Sequence, residues 1–517
     1  MAERTGSSRV RYRFSPLERR GVVAGWRGGQ IAAVATGMTA AVLALRSAPS
    51  VGGVVMAIAI VGGAVALAFW PIQGRTGEQW LPLVVRWTWA RSTGSGRWLA
   101  PGPRSGHVTT VDRDGTRSTP LRPGSDHRPG PARARVSPFD RLEVVGVPFE
   151  PEHSSAEMGM VVDGRARTAT GVLAVRGHSF ALLGAADQDA RIAAWARVLA
   201  ALAREGSEVH RVQWTESCLP DDGTAVRRHW ADHAVLGPDS PAGRSYQSLV
   251  DESAPVTRRH QVMVALTVSS SRSSRSVRAS GGGRAGAGTV LAREVLAVER
   301  ALDAADITVD GVLGPGALRR VIGESFAAAG SSGGGAVRAT DPDGPGSPWP
   351  WPMAVEPHWD AVRTDGTWHA TYWIAEWPRV DVTPDFLGPL LFSPLRRTIT
   401  LTMEPVSPSR AARQVAQART ADIADGELRR RGGFLVTARH SREKESVEER
   451  DVELADGHAQ YRFTGYVTVT ADTSAALVDA CAAVEQAAGH ARVELRRLYG
   501  EQDVAFTCSL PLGRGLT

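Results

Sequence analysis

Lysine is almost missing from this chain. Lys444 is the only one among 60 basic residues, and it follows Arg442-Glu443 with no glycine beside it. A phosphate loop of the form Gly-x-x-x-x-Gly-Lys-[Ser/Thr] needs that amine next to a glycine cradle, so ordinary nucleotide hydrolysis has no sequence basis. Cysteine is also scarce. Cys218, Cys481 and Cys508 lie far apart without a Cys-x-x-Cys. Their spacing excludes a disulfide framework and a cysteine zinc site, and it fits a reducing compartment. Net charge is low for the length, +6 over 517 residues. Arginines flanking apolar segments account for the excess, so no dedicated nucleic-acid groove is expected.

Motifs that carry chemistry are equally thin. Gly281-Gly282-Gly283-Arg284-Ala285-Gly286 matches the dinucleotide fingerprint literally, and Asp306 follows at a suitable distance. A strand ending near Val268 is separated from it by a serine- and arginine-rich stretch, whereas the fingerprint needs its glycines at the strand-to-helix turn itself. His229 and His233 share a helical face, but no third ligand is near in sequence. Gly177-His178-Ser179-Phe180-Ala181 lacks the last glycine of a nucleophile elbow. Asp221-Asp222-Gly223 reads as a turn. No catalytic residue, metal or cofactor is expected, and the chain reads as a non-enzyme.

What the sequence does have is two long uncharged apolar runs, Gly28 to Leu45 and Val51 to Ile72, joined by Arg46-Ser-Ala-Pro-Ser50. At 1.5 Å rise per residue, about 20 residues cross the hydrocarbon core, so the pair predicts a transmembrane helical hairpin. Arginines crowd the N-terminal side of the first run and follow the second, which places both ends in the cytoplasm and the turn outside the cytoplasmic (inner) membrane. Trp26, Arg27, Arg46, Trp70 and Arg75 are the expected membrane-anchoring residues. Small residues recur every four positions at Gly29, Ala33, Gly37 and Ala41, and at Ala59 and Gly63, a spacing that lets helix backbones approach. Trp80 to Trp89 reads as an amphipathic segment on the membrane surface, its Trp80, Leu83, Val84 and Trp87 turned to lipid.

The rest divides by composition. Residues 1–27 form a basic cytoplasmic arm, 28–72 the hairpin, and 73–137 an interfacial segment and linker. A first α+β domain is expected over 138–327, a Gly/Ser/Pro linker over 328–350 and a second α+β domain over 351–517. Leu142 to Phe149, Met158 to Asp163, Thr168 to Arg176, Val209 to Thr215 and Gln261 to Val268 alternate as strands, and Asp187 to Arg204 shows a helical stripe. In the second domain, strands at Trp368 to Trp377, Arg397 to Pro405, Tyr461 to Thr470 and Val493 to Tyr499 are interleaved with helices at Ser407 to Arg431, about Arg439 to Leu454, and Ser474 to Ala488. That order predicts a ferredoxin-like sheet with a helical insertion and helices on one face.

Two segments carry a family resemblance. The hairpin followed by Trp70-Pro-Ile-Gln-Gly-Arg75 and Trp80-Leu-Pro-Leu-Val-Val-Arg-Trp87 resembles the PrgI-type membrane subunits of conjugation machines. Trp373-Ile-Ala-Glu-Trp377-Pro-Arg, Arg397-Thr-Ile-Thr-Leu-Thr-Met-Glu-Pro405, Leu498-Tyr499-Gly500 and Phe506-Thr-Cys-Ser-Leu510-Pro-Leu-Gly513 resemble the N-terminal, non-ATPase half of conjugation ATPases. The whole is similar to an actinobacterial group of such fusions, the SCO-type conjugal transfer family. The resemblance implies a structural adaptor of a type IV secretion-like machine, possessing no motor and docking a separate P-loop ATPase. Its other implied partners are the lipid bilayer and further membrane subunits, in an oligomeric complex. A second resemblance is to the type VII secretion subunit EccE, which also places two N-terminal spans before a cytoplasmic domain.

Overall fold

The computed structural model describes residues 28–72, 75–93, 97–99, 138–149, 156–177, 180–221, 223–253, 257–327, 350–432, 447–448 and 450–516. Trp26, Arg27, His178, Ser179, Asp222, nearly all of both linkers and the start of the expected helix from Arg439 lie outside these residues.

The two apolar runs form α1 (Gly28–Ser47) and α2 (Val51–Phe69). Ser50 caps α2, its Oγ accepting from the Gly53 amide at 3.2 Å, which satisfies one of the free amides of a helix start. Gly37 and Ala41 of α1 are buried against a seam that includes Gly53, Ala57 and Ala68. Gly37 lies so close to Ala64 that an added methyl would overlap it. Ala59 and Gly63 point out of this seam, and a Cβ on Gly63 would meet nothing. The register of the turn puts 53, 57, 64 and 68 inward and leaves 59 and 63 on the outer surface. At the foot of the hairpin the Gln30 amide donates to the Ala68 carbonyl at 3.0 Å. Leu43, Met56 and Ile58 are 61%, 58% and 67% exposed; a helix pair buried in a soluble core would hide them.

A two-stranded turn, β1 (Pro71–Ile72) and β2 (Arg75–Thr76), leads into α3 (Gly77–Ser92) and then β3 (Trp98–Leu99). The first half of the body contains β4 (Leu142–Phe149), β5 (Ala156–Asp163), β6 (Thr168–Arg176), α4 (Ala185–Leu202) and β7 (Val209–Pro220). It continues with α5 (Thr224–His233), α6 (Pro241–Ser253), β8 (Arg258–Ser269), α7 (Ser274–Ala279), α8 (Gly283–Ala304), β9 (Thr308–Val312) and α9 (Pro315–Glu324). The second half contains β10 (Ala354–Pro357), β11 (Val362–Thr364), β12 (Thr367–Glu376), α10 (Gly388–Leu391), β13 (Arg397–Val406) and α11 (Pro408–Gly432). It ends with β14 (Gln460–Ala471), α12 (Ser474–His490), β15 (Glu494–Arg497) and α13 (Gln502–Phe506).

The fold class is α+β, with a large antiparallel sheet. Segments 138–327 and 351–517 meet edge to edge in this one sheet, in the order β3-β10-β11-β12-β14-β13-β7-β8-β6-β5-β4. The halves repeat one another. In each, a strand (β6 or β12) pairs along one side with the third strand of a β-α-β-β-α-β unit (β8 or β14). Its other side is shared between a preceding hairpin strand (β5 or β11) and the last strand (β9 or β15). Both halves therefore have the ferredoxin-like strand arrangement. In both, the second and third strands are separated by a helical excursion: α5–α6 in one, α11 in the other. Their second strands, β7 and β13, pair antiparallel at the centre, from Arg397 opposite Cys218 to Met403 opposite Val212. Thr170 bonds Thr267 at 2.9 Å, and Thr371 bonds Thr468 at 2.9 Å. The same spacing separates Thr170 from Thr371 and Thr267 from Thr468.

Helices cover both faces, not one. α8 lies on one face over Leu173, Val264 and Leu266, and α12 lies over Tyr372, Ile399 and Val467. On the opposite face α9 covers Val172, Ala174 and Met263, in a cluster that also takes Trp351, Val355, Phe506, Leu510 and Leu512 from the second half. The run Val172-Leu173-Ala174-Val175 is buried on alternate sides throughout, so either face left open would expose apolar area worth about 25 cal/mol per Å².

The segment after α13 crosses that second face as a strap over a floor of buried threonines. Gln213, fully buried on β7, donates to the carbonyls of Cys508 (3.0 Å) and Leu510 (2.9 Å) and accepts from the Gly513 amide (2.6 Å). Thr402 donates to the Arg514 carbonyl at 2.8 Å and Tyr466 to the Gly515 carbonyl at 2.6 Å. Arg514 then pairs with Asp163 at 2.5 Å and donates to the Pro138 carbonyl at 2.8 Å. Burial pushes the Asp163 carboxyl up, but Arg514 and the amides of Ala166 and Arg165 outweigh it and hold it below the usual range.

Candidate functional site at the hairpin–body junction

The two segments that carry the family resemblance touch each other. The short β1–β2 turn fixes Arg75 and delivers Thr76 as the first cap of α3, where the Gln79 Oε1 accepts from the Thr76 amide at 3.4 Å. Trp80, Leu83, Trp87 and Ala90 then recur at helical spacing along the face that meets the body. Trp80 stacks on Trp359, in the β10–β11 loop, with centroids 5.9 Å apart, and lies 6.0 Å from Tyr499. Trp87 meets Trp359 edge-on at 5.6 Å. The Arg75 guanidinium sits over the Trp80 ring at 5.7 Å and bonds Glu501 at 3.2 Å. Arg86 reaches the same carboxylate at 4.0 Å and the Gly500 carbonyl at 3.5 Å.

Gly500 makes this packing possible. Its φ is +70°, a left-handed conformation that costs glycine little. Its amide donates to the Trp359 carbonyl at 2.7 Å, and a Cβ would approach the Trp359 ring to 2.9 Å. The loop bearing Trp359 is itself clamped, because Arg497 donates to the Asp360 carbonyl at 2.7 Å and covers Tyr372 at 5.8 Å. Each aromatic pair adds about 0.5–1.5 kcal/mol beyond burial, and the half-exposed ion pair about 1 kcal/mol or less. The junction is therefore a packed aromatic contact pinned by one shared carboxylate.

The expected anchoring residues separate. Arg46 is exposed in the last turn of α1. Trp70 caps α2 and is 69% exposed. Arg75 is turned to Glu501 and the Trp80 ring. The expected lipid face of α3 is corrected: Trp80 and Trp87 pack on the body, Leu83 is buried, and only Val84 of that set is exposed. Trp359 and Glu501 had no mark of their own in sequence. The one available signal was that Glu501 directly follows Leu498-Tyr499-Gly500.

The other candidates are placed apart. His229 and His233 stack at 4.4 Å on the exposed side of α5, and they line an open groove of about 300 Å³ with Trp230, Val235, Leu236 and Tyr246. Among the described residues no group of three His, Cys, Asp or Glu side chains could hold a metal ion. The glycines of the fingerprint follow a helix, α7, rather than a strand, and Gly286 is pressed against the Val277 carbonyl. Buried charge instead serves the central seam. Arg397 of β13 bonds Glu216 of β7 at 2.6 Å, and His260 of β8 bonds the same carboxylate at 2.6 Å.

Residues 256–374 match the family model described as "Putative type VII ESX secretion system translocon, EccE". This stretch runs from β8 through the joint between the halves and into β12, and it includes Trp359. No curated protein matches the chain. The matched segment, in a chain with two helices long and apolar enough to cross a bilayer, supports a membrane subunit of a secretion system. Within that class the match falls on the type VII side and not on the conjugation side.

Proposed function

We propose that this chain is a non-catalytic membrane subunit of a type VII secretion translocon, of the EccE kind. The observation that carries the reading is the family match across 256–374, in a chain whose two apolar helices are fastened to the matched body through Trp359. In this reading α1 and α2 seat the subunit in the cytoplasmic membrane with both ends inside, as the arginine bias favours. The double sheet is a platform presented at a set angle to neighbouring membrane subunits. Its two helical excursions project from opposite ends of the central β7–β13 pair, which suits a scaffold that meets more than one neighbour. The conjugation reading would instead have the body dock a separate P-loop ATPase.

Affinity purification from native membranes solubilised in mild detergent tests this. The expected result is co-migration in a large complex with other type VII membrane subunits. Recovery alone, or with a conjugation ATPase and PrgI-type subunits, would overturn it.

A further inference from the structure

The helix α3 has a second apolar face that the body leaves uncovered. Trp80 and Trp87 are spent on the body, and Leu83 and Ala90 on the same side are buried. On the other side Leu81, Val84, Val85 and Trp89 are 54%, 40%, 54% and 71% exposed. The one polar residue in the middle of that side, Thr88, turns its hydroxyl back to its own helix, donating to the carbonyls of Val84 at 2.8 Å and Val85 at 3.1 Å. Ser92 and Thr93 do the same to Trp89 at 3.0 and 2.8 Å. Hydroxyls that spend their proton on the local backbone present an apolar surface, as segments adapted to lipid require.

The position of α3 says what covers this face. Its first turn is packed on the feet of both spans: Gly77 lies against Leu67, where a Cβ would meet the side chain and carbonyl at 2.8 Å, and Glu78 lies against Gly29. The exposed face is thus continuous with Leu67, Phe69 and Trp70, themselves 40%, 39% and 69% exposed where α2 ends. A helix that starts at the level where the spans leave the hydrocarbon, with Trp89 and Arg91 near its far end, has the composition of an interfacial helix.

We infer that the Leu81–Val85–Trp89 face of α3 lies in the headgroup–acyl boundary of the bilayer, so that the helix is gripped between lipid on one side and the Trp359–Tyr499 wall on the other. This inference rests on α1 and α2 being membrane spans, and it fixes the tilt of the body by a third contact with the membrane.

The native cysteines are all buried, so single reporters can be added at exposed positions. Val85→Cys and Trp89→Cys variants of the full-length protein, with Val54→Cys on the outer surface of α2 and Val235→Cys on the body as references, are spin-labelled. They are then reconstituted in vesicles of phosphatidylcholine with phosphatidylglycerol. The expected result is an oxygen-to-nickel-chelate accessibility ratio at 85 and 89 several-fold above that at 235 and approaching that at 54. If 85 and 89 follow 235 while 54 reports lipid, the inference fails and the spans stand. If 54 also follows 235, the spanning reading itself fails. Immobilised labels at 85 and 89 shielded from both reagents would assign the face to a protein neighbour and overturn the lipid assignment.

Discussion

At the scale of single residues, Gln213 carries more of the architecture than its type suggests. It sits on the central strand β7, fully buried, and all three of its bonds go to the strap. Removing it would leave two carbonyls and one amide in the interior without partners, and each orphan costs about 1–3 kcal/mol. Gln213→Ala should therefore lower unfolding free energy by about 3 kcal/mol, read by denaturant titration of the detergent-solubilised chain. Gln213→Glu should be worse, because it retains the bond from Gly513 but buries a charge against two carbonyls. A loss under about 1 kcal/mol for the alanine variant would mean the strap is held elsewhere. Nothing in the local sequence, Val212-Gln213-Trp214, announces this role. A polar residue in an alternating strand reads as solvent-facing, and only the strap, hundreds of residues away, shows otherwise. The strand expected over Val209 to Thr215 runs on to Pro220, with Glu216 paired to Arg397 inside the sheet.

At the scale of elements, legibility followed periodicity. Strands with a strong pattern, Leu142 to Phe149 and Thr168 to Arg176, have the expected bounds, and the hairpin needed only length and the absence of charge. α3 is where pattern alone is insufficient. Its apolar residues go most of the way round, so the sequence shows an apolar helix between two surfaces without saying which residues meet which surface. The Trp359 wall decides that, and it is formed by loops whose approach no periodicity encodes. The junction can be opened selectively. Gly500→Val places a branched side chain at φ +70° and against the Trp359 ring, while Glu501→Gln removes the charge shared by Arg75 and Arg86. In the double variant the body should keep its melting temperature within a few degrees. α3 should detach, and trypsin should cut after Arg86 and Arg91 at least about tenfold faster, as expected if a contact worth about 1.4 kcal/mol or more is lost. Unchanged cleavage would show that α3 is held by lipid or by the spans and not by this contact.

At the scale of the whole molecule, the chain is two similar units that do not stand apart. Composition suggested a boundary, because residues 328–350 are rich in Gly, Ser and Pro and domain boundaries favour such stretches. Across that boundary, however, β7 and β13 share a full register, Arg397 and Glu216 neutralise each other, and one core cluster mixes Met263 and Ile322 with Phe506 and Leu512. The strap crosses back from the second half to Asp163 and Pro138 of the first. Each unit expressed alone would expose an open central edge with a buried charge lacking its counter-ion, and breaking such a pair costs about 3–5 kcal/mol. That is a large part of the 5–15 kcal/mol by which a domain is stable. Fragments 138–327 and 351–517, produced separately, should therefore lack the near-ultraviolet circular dichroism of packed tryptophans. Co-expressed, they should associate and recover a single cooperative transition. A fragment 351–517 that melts cooperatively by itself would show that its own core, built on Tyr372, Ile399, Val467 and α12, suffices without the shared seam. The body would then be two units hinged at the β7–β13 seam rather than one rigid unit.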